Sequence, residues 1–257
     1  MAFELFDLAG QVAIVTGSSR GIGRAIAERL AEHGARVVVS SRGAEACDAV
    51  AAVLNDRHGP GTAIAIPANI SSKEALETLV SETRRQLGPL SILVCNAASN
   101  PHYGPMSGIT DAQLRKVLEN NVVSNHWLVQ MVAPGMAERG DGAIVVVSSI
   151  AGIRGTNTIG AYGISKAADM QLVRNLAVEL GPSGIRVNCV APGVIRTDFS
   201  RALWEDPTLT ARSQERTPLR RFGDPDDVAG IVVCLVSPAA RYLTGQTIVI
   251  DGGDTIA

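Results

Sequence analysis

Tyr162 and Lys166 have side-chain types and a spacing that could move a proton. They fall in the stretch Ala161–Leu180, which predicts a helix, and side chains four residues apart share a helical face. A phenol with a pKa near ~10 is a poor base at neutral pH, but a neighbouring ammonium favours the phenolate and lowers that pKa. Ser149 lies just beyond a predicted strand, where its hydroxyl could donate to a carbonyl oxygen. The three side chains together predict proton transfer at a carbonyl or alcohol oxygen.

A glycine-rich turn, Thr16-Gly17-Ser18-Ser19-Arg20-Gly21-Ile22-Gly23, joins the first predicted strand to the first predicted helix. Its glycines permit a tight turn and a close approach of a pyrophosphate, and the helix N-terminus offers free N–H groups. The order strand, glycine turn, helix is the context that a dinucleotide-binding motif requires. The turn therefore predicts contacts to a dinucleotide cofactor at Gly17, Ser19, Arg20, Gly21, Ile22 and Gly23.

The second predicted strand, Arg36–Ser40, is followed by Ser41 and Arg42 and not by an acidic residue. An acidic residue at this place usually accepts a hydrogen bond from the ribose 2′-OH of NAD. Here no carboxylate repels a 2′-phosphate, the Arg42 guanidinium offers a planar fork of donors, and Arg20 adds a second cation. The sequence thus favours NADP(H) over NAD(H).

Hydrophobic strands alternate with helical segments along the whole chain, and the elements that must position these side chains follow from that rhythm. Strands are predicted at Gln11–Thr16, Arg36–Ser40, Thr62–Ile66, Ser91–Cys95, Gly142–Ser148, Ile185–Val190 and Thr247–Ile250. Helices are predicted at Gly21–His33, Ala44–Asn55, Ser72–Leu87, Asp111–Glu138, Ala161–Leu180 and Asp226–Val236. This alternation predicts an α/β fold, a single doubly wound Rossmann-type domain over residues 1–257. Its seven-stranded sheet is expected to be mostly parallel, with helices on both faces.

One segment, Arg196–Gly223, departs from the rhythm. We expect a long irregular insert there, which in a compact domain is usually a lid or a binding element.

The net charge, the length of the apolar runs and the spacing of the cysteines exclude several classes of protein. The net charge of −2 gives no global basic field for nucleic acid, and no apolar run approaches the ~20 residues that span a bilayer. The N-terminus lacks the features of a signal peptide. The four cysteines form no CxxC pair, which is typical of reduced thiols in a cytoplasmic protein. No cluster of His, Cys, Asp or Glu has metal-ligand spacing, so no metal site is expected.

At these motifs the chain resembles the short-chain dehydrogenase/reductase family over essentially its whole length. The resemblance rests on the turn Thr16–Gly23, Cys95-Asn96-Ala97-Ala98, Asn121, Ser149, Tyr162, Lys166, Asn188 to Gly193, Thr197 and Asp251-Gly252-Gly253. It implies an NADP(H)-dependent oxidoreductase that reversibly reduces a ketone or aldehyde to an alcohol. It implies Tyr162 as acid and base, Lys166 as its electrostatic partner and a cofactor ligand, and Ser149 as the group that orients the substrate oxygen. Asn121 would hold a water in a proton relay beyond Lys166.

The resemblance also implies further cofactor contacts. They are Ser41, Arg42, Asn69, Ile70, Asn96, Ala97, Ala98, Tyr162, Pro192, Gly193, Ile195 and Thr197. The sequence departs from the family pattern at Ala98, where glycine is usual, and at Asn69, where an acidic residue is frequent. Several stretches look like the NADPH-dependent carbonyl and retinol reductases of the family, and family members commonly form homotetramers.

The substrate is a small carbonyl or alcohol in this interpretation, and candidate pocket residues are His102, Tyr103, Phe199, Leu203 and Trp204. The apolar residues of the insert favour an apolar or aromatic carbonyl, although they could simply pack the insert onto the body, and His102 and Tyr103 could simply pack their loop.

Two alternatives stay open. The first is a 3-oxoacyl-thioester reductase, in which Arg212, Arg216 and Arg220 could meet the phosphate of an acyl carrier or CoA. The second is a dinucleotide-binding regulator without catalysis, and the intact Ser149, Tyr162 and Lys166 disfavour it.

Overall fold

The computed structural model describes residues 4–257, apart from the side chains of Ala202, Leu203, Leu209 and Arg212. Within that range, one sheet contains β1 Val12–Thr16, β2 Arg36–Ser40, β3 Ala63–Ala65, β4 Ile92–Cys95, β5 Gly142–Val147, β6 Ile185–Pro192 and β7 Thr247–Ile250. The strand order is β3-β2-β1-β4-β5-β6-β7, and each neighbouring pair is parallel. The predicted seven-stranded α/β fold is confirmed, and the sheet is wholly parallel.

The chain builds the sheet outward from β1 in two directions, and this determines where a ligand fits. It moves from β1 to β2 and β3 on one side, then returns to place β4 on the other side of β1. Val15 of β1 pairs with Val39 of β2 and with Val94 of β4, so the three strands end at the same edge. A crevice opens outside the carboxyl ends of strands where the order reverses.

The helices are α1 Gly21–Glu32, α2 Ala44–His58, α3 Lys73–Leu87, α4 Asp111–Leu118, α5 Ser124–Arg139, α6 Gly160–Leu180, α7 Arg201–Trp204, α8 Pro207–Arg216 and α9 Pro225–Val236. Buried side chains of α1, α2 and α9 pack on one face of the sheet, and those of α3, α5 and α6 pack on the other.

Strand β1 shows why the sheet has helices on both faces. All five of its residues are buried. Ala13 and Val15 pack against one layer of helices, whereas Val12 and Ile14 pack against the other. A strand covered on both faces is apolar without alternation, which is the pattern read from the sequence.

Two predictions were wrong in detail. The predicted helix Asp111–Glu138 is interrupted by a π-helical segment, Glu119–Val123, whose wider turn buries Asn120 and Asn121. The insert Arg196–Gly223, predicted to be irregular, contains the helices α7 and α8. No helix within residues 4–257 is long and apolar enough to cross a membrane.

Candidate active site

The glycine turn between β1 and α1 is closed by steric contacts that leave no room for side chains. Gly17 and Gly21 have φ values of +68° and +56°, a region that residues with a Cβ rarely adopt. A Cβ at Gly23 would lie 2.4 Å from the Gly17 carbonyl oxygen and 2.5 Å from Asn96 Nδ2. Ile22 packs against the core beneath the turn, and Ser19 is half-buried. The turn therefore presents backbone at the N-terminus of α1.

Strands β4 and β1 are joined at their ends by Asn96 and Thr16. Asn96 Nδ2 donates to the carbonyl oxygens of Thr16 and Gly17, at 2.9 and 3.2 Å. The backbone N–H groups of Asn96 and Ala97 both donate to Thr16 Oγ1. Asn96 thus fixes the glycine turn in place, while the half-buried Ala98 continues into the loop beyond.

Ser18 is a residue of the turn that was missing from the predicted contacts. Its hydroxyl donates to Val15 O at 2.6 Å and accepts from Ser40 N at 2.9 Å, and the side chain is fully buried. It links the turn to the end of β2. Its position inside the glycine motif is the only sequence signal that could have indicated it.

Arg20 precedes α1 and also reaches the insert. It occupies the N-cap position without capping the helix with its side chain. Its Nη1 lies 3.6 Å from Asp198 Oδ2, and both side chains are largely exposed. A Cβ at Gly21 would lie 3.3 Å from Thr197 Cγ2, so the insert begins directly beside the glycine turn.

The end of β2 carries the residues expected to select the dinucleotide. Ser41 Oγ lies 3.1 Å from Cys47 Sγ, and the Arg42 side chain is exposed. Asn69 uses Oδ1 to accept from Ser71 N at 3.2 Å, which closes the turn before α3, and Ile70 packs partly into the core. The edge expected to face the adenosine ribose therefore holds an arginine and neutral polar groups.

Tyr162 and Lys166 lie on the first turns of α6, on the side that faces the ends of β5 and β6. Lys166 Nζ lies 5.6 Å from the centre of the Tyr162 ring. Lys166 is 2 % exposed and Tyr162 is half-buried. Ser149 follows β5, and its Oγ accepts from Ala151 N at 3.1 Å. The structure brings these three predicted residues together.

Burial and charge act in opposite directions on the Tyr162 phenol. Burial and, to a lesser extent, the Asp169 carboxylate raise the pKa of Tyr162, and the Lys166 ammonium and the Ser149 hydroxyl lower it, with a net direction upward. The predicted lowering by Lys166 is present, but burial outweighs it. Burial lowers the pKa of the Lys166 ammonium, whereas Asp169 and Tyr162 raise it, and the net direction is again upward. The phenol is thus held protonated beside a charged lysine.

Asn121, in the π-helical segment, is fully buried and joins the loop after β4 to α6. Its Oδ1 accepts from Ser99 N at 2.8 Å, and its Nδ2 donates to Ser99 O and to Ser165 Oγ, both at 3.0 Å. Its backbone oxygen accepts from Asn125 Nδ2 at 2.6 Å. Ser165 Oγ in turn donates to Tyr162 O at 2.7 Å, so Asn121 supports the start of α6.

A buried carboxylate, that of Asp169, contacts Lys166, and sequence reasoning missed it. Lys166 Nζ donates to Asp169 Oδ2 at 3.0 Å and to Val147 O at 2.8 Å. Asp169 Oδ1 accepts from Asn125 Nδ2 at 3.0 Å. The signal was available, because Asp169 occupies a position of α6 that helical spacing assigns to the buried face.

Residues expected near the nicotinamide lie at the end of β6 and just beyond it. Pro192 ends the strand, and Gly193 N donates to Ile250 O at 2.9 Å. Ile195 is 4 % exposed and forms a bridge with Gly223. Thr197 N donates to Ser200 Oγ at 3.2 Å, at the start of the insert. These four positions run from the sheet edge toward the glycine turn.

The predicted substrate residues are placed unequally. The Phe199 ring lies 6.0 Å from the Tyr162 ring, centre to centre, and is 64 % exposed. Trp204 Nε1 donates to Thr197 O at 2.9 Å, so this ring braces the insert. His102 Nε2 lies 3.1 Å from Pro105 O within its own loop, and Tyr103 is exposed. The side chain of Leu203 lies outside the described part of the chain.

The described residues 4–257 contain no group of three or more His, Cys, Asp or Glu side chains that could hold a metal ion.

Comparisons with known proteins identify the family and match the fold. A family model described as enoyl-(acyl carrier protein) reductase matches residues 17–255. Human dehydrogenase/reductase SDR family member 4 is 43% identical over 247 residues, which are 96% of this chain and 88% of that protein. The gluconate 5-dehydrogenase of Burkholderia cenocepacia, solved in complex with NADP and tartrate, has a TM-score of 0.94 at 30% identity, with 100% of both chains covered.

A second solved structure is 7α-hydroxysteroid dehydrogenase complexed with NADH and 7-oxo glycochenodeoxycholic acid. Its TM-score is 0.91 at 37% identity, over 97% of this chain and 96% of that one. The chain is an oxidoreductase, and it belongs to the short-chain dehydrogenase/reductase family.

Proposed function

We propose that this protein is an NADP(H)-dependent reductase that converts a ketone or aldehyde to an alcohol, with Tyr162 as the acid and base. The observation that carries the proposal is the position of Tyr162, whose ring centre lies 5.6 Å from the buried Lys166 ammonium and which lies near Ser149. These groups lie where parallel strands end, and that edge of an open α/β sheet carries the ligand crevice.

The residues present fit a dinucleotide. The side-chain-free turn at Gly17, Gly21 and Gly23 lets a pyrophosphate approach the backbone, and the first N–H groups of α1 have no partner within the helix. An ammonium has three N–H donors, and Lys166 uses two of them on Val147 and Asp169. The third is available for a ribose hydroxyl. A bound nicotinamide would supply or accept the hydride.

In reduction, the residues of the chain manage the proton and the developing charge. Ser149 donates a hydrogen bond to the substrate carbonyl oxygen and polarises it. Tyr162 gives its phenolic proton to that oxygen as the carbon is reduced. Its raised pKa means that the phenol is protonated before this step. The Lys166 ammonium then stabilises the phenolate until it regains a proton.

The preference for NADP(H) rests on the end of β2, where Ser41 and Arg42 stand and no carboxylate follows the strand. Similar structures have been solved with NADP and with NADH, so the choice is made by the residues of this chain and not by the fold. An Arg guanidinium binds a phosphate through two parallel hydrogen bonds.

The proposed substrate is an apolar or aromatic carbonyl. The exposed Phe199 ring, whose centre lies 6.0 Å from that of Tyr162, gives the region apolar surface. The alternative of an acyl-carrier or CoA thioester gains little support, because Arg216 is bound to Asp254 and Arg220 donates to Glu215 O.

Initial rates with a panel of aromatic ketones, dicarbonyls and β-ketoacyl thioesters, each with NADPH and with NADH, test the proposal. We expect a higher kcat/KM with NADPH and with the simple ketones. Faster turnover of thioesters would favour the alternative reductase. No turnover of any compound would support the regulator without catalysis.

We also propose a homotetramer. Val123, Ile164 and Val178, on or near the long helices α5 and α6, expose apolar side chains, and Val178 is 80% exposed. Where exposed apolar side chains form one contiguous patch, that patch marks a surface that another chain can cover. Sedimentation equilibrium of the purified protein measures the number of subunits.

A further inference from the structure

The buried carboxylate of Asp169 lies behind the candidate catalytic residues and has no part in the steps above. It is 0 % exposed, and its charge is met by Lys166 Nζ on one oxygen and by Asn125 Nδ2 on the other, both at 3.0 Å. Burying a carboxylate this deeply costs free energy unless its oxygens receive hydrogen-bond donors, as both do here. Its contact with Lys166 suggests a function in the site.

We infer that Asp169 is a positioning residue of the active site: its carboxylate keeps Lys166 charged and holds the ammonium so that its remaining N–H faces Tyr162 and the cofactor. The inference rests on the proposed function, because it assigns Asp169 a purpose in that reaction.

The geometry of the ammonium supports the positioning half of the inference. Lys166 Nζ is fixed by Val147 O from the end of β5 and by Asp169 Oδ2 from the next turn of its own helix. Two of its three N–H directions are thereby set. The tetrahedral ammonium then fixes the third, and the centre of the Tyr162 ring lies 5.6 Å from Nζ.

The burial of Lys166 supports the other part of the inference, that Asp169 keeps the ammonium charged. Lys166 is 2 % exposed, and an ammonium removed from water loses its proton readily unless an anion compensates it. A neutral Lys166 could not stabilise a Tyr162 phenolate. Asp169 is the anion that raises the pKa of Lys166 against the effect of burial.

None of the other groups around Lys166 and Asp169 can replace Asp169 as the anion that raises the pKa of Lys166. The thiols of Cys95 on β4 and Cys189 on β6 interact with both charges, but burial raises the pKa of each thiol, so both are neutral at working pH. Asn125 on α5 is an amide that also donates to Asn121 O, and Tyr162 is protonated. Burial raises the pKa of the Asp169 carboxyl, and the Lys166 ammonium and the Asn125 amide act against that rise. With Lys166 Nζ on one oxygen and Asn125 Nδ2 on the other, Asp169 is, within the described residues, the negative charge that faces Lys166.

The chain offers a direct measurement, because its lysines are Lys73, Lys116 and Lys166 alone. Lysine labelled with carbon-13 at Cε gives one NMR signal for each, and the signal that disappears in Lys166→Met identifies Lys166. Asp169→Asn replaces the carboxylate by an uncharged amide opposite Asn125. Asp169→Ala removes the carboxylate and puts no polar group in its place. Asp169→Glu keeps it. Glu179→Gln, an exposed position on the same helix, is the matched control for the loss of one carboxylate.

We expect the Lys166 titration midpoint of the apoprotein to fall by at least about two pH units in Asp169→Asn and Asp169→Ala. It should fall by less in Asp169→Glu and stay unchanged in Glu179→Gln. The kcat for reduction in Asp169→Asn should approach the wild-type value at acidic pH and decline as the pH rises through the new Lys166 midpoint. A loss of packing alone would lower kcat equally at every pH.

A Lys166 midpoint unchanged in both uncharged variants would overturn the inference. Failure of both to fold would overturn it as well, since the carboxylate would then be a structural requirement. The proposed function fails on a different result, a wild-type protein that reduces no carbonyl, and the apoprotein titration does not depend on turnover.

Discussion

Replacing Gly23 by alanine tests whether the turn before α1 is the cofactor cradle. The added Cβ would lie 2.4 Å from Gly17 O and 2.5 Å from Asn96 Nδ2. Both atoms belong to the groups that shape the turn, and Gly17 O accepts from Asn96 itself. The methyl group therefore forces the backbone of the turn apart and displaces the N–H groups offered to a pyrophosphate.

Overpacking by one methyl group in a tight site costs about 1–3 kcal/mol. If this cost is borne by the cofactor-bound state, the affinity for NADPH falls by about fivefold to a hundredfold, since each factor of ten corresponds to about 1.4 kcal/mol. The contact is with backbone and a hydrogen-bonded amide, so relaxation is limited and we expect a value near the upper end.

Gly230→Ala makes the same chemical change in the exposed middle of α9, where a Cβ meets nothing within 4 Å. Alanine in a helix interior stabilises by about 1 kcal/mol relative to glycine, which raises Tm by about 2–4 °C for a chain of this size. NADPH affinity, measured by fluorescence titration, should be unchanged in Gly230→Ala and weakened at least tenfold, about 1.4 kcal/mol, in Gly23→Ala. A Gly23→Ala protein that is folded and binds NADPH as tightly as the wild type would refute the reasoning.

Three further predictions concern selectivity, stability and substrate. Arg42→Ala should lower kcat/KM for NADPH by about tenfold or more and leave that for NADH unchanged, because a charge-assisted hydrogen bond contributes about 1.5–3 kcal/mol; Arg57→Ala, an exposed arginine on α2, is the control. Asp254→Asn should lower the free energy of unfolding by about 1 kcal/mol near neutral pH, since Asp254 is 4 % exposed and binds Arg154 and Arg216. Burial raises the pKa of Asp254, but these two arginines lower it by more. The stability that the Asp254 carboxylate contributes is therefore present above about pH 4 and is lost at lower pH. Chemical denaturation of the wild type and of Asp254→Asn at several pH values checks this. Phe199→Ala should raise KM for an aromatic ketone several-fold with little change in the KM for NADPH, which steady-state kinetics measures directly.

Elements determined by local pattern could be predicted from the sequence. Strand Arg36–Ser40 is observed with the predicted bounds, because its consecutive valines leave no polar face. The start of α6 follows within one residue of its prediction, and the spacing of Tyr162 and Lys166 on one helix brings them to the same site.

Features that depend on contacts between distant segments could not be predicted in the same way. The π-helical segment at Glu119–Val123 is stabilised by Asn121, whose partners Ser99 and Ser165 lie more than twenty residues away along the chain. Trp204 could be assigned to the insert, but its hydrogen bond to Thr197 O depends on how the insert folds back. The partnership of Asp169 with Asn125 likewise joins two helices whose packing the sequence pattern does not specify.

The central claim, that Tyr162 carries the proton, is tested most directly by comparing kcat for NADPH-dependent ketone reduction in the wild type and in Tyr162→Phe. The substitution removes one hydroxyl and retains the ring that packs near Phe199. We predict that kcat falls by about a hundredfold to ten-thousandfold, the usual contribution of a general acid, while the Kd for NADPH changes little. A Tyr162→Phe protein with the kcat of the wild type would contradict the account.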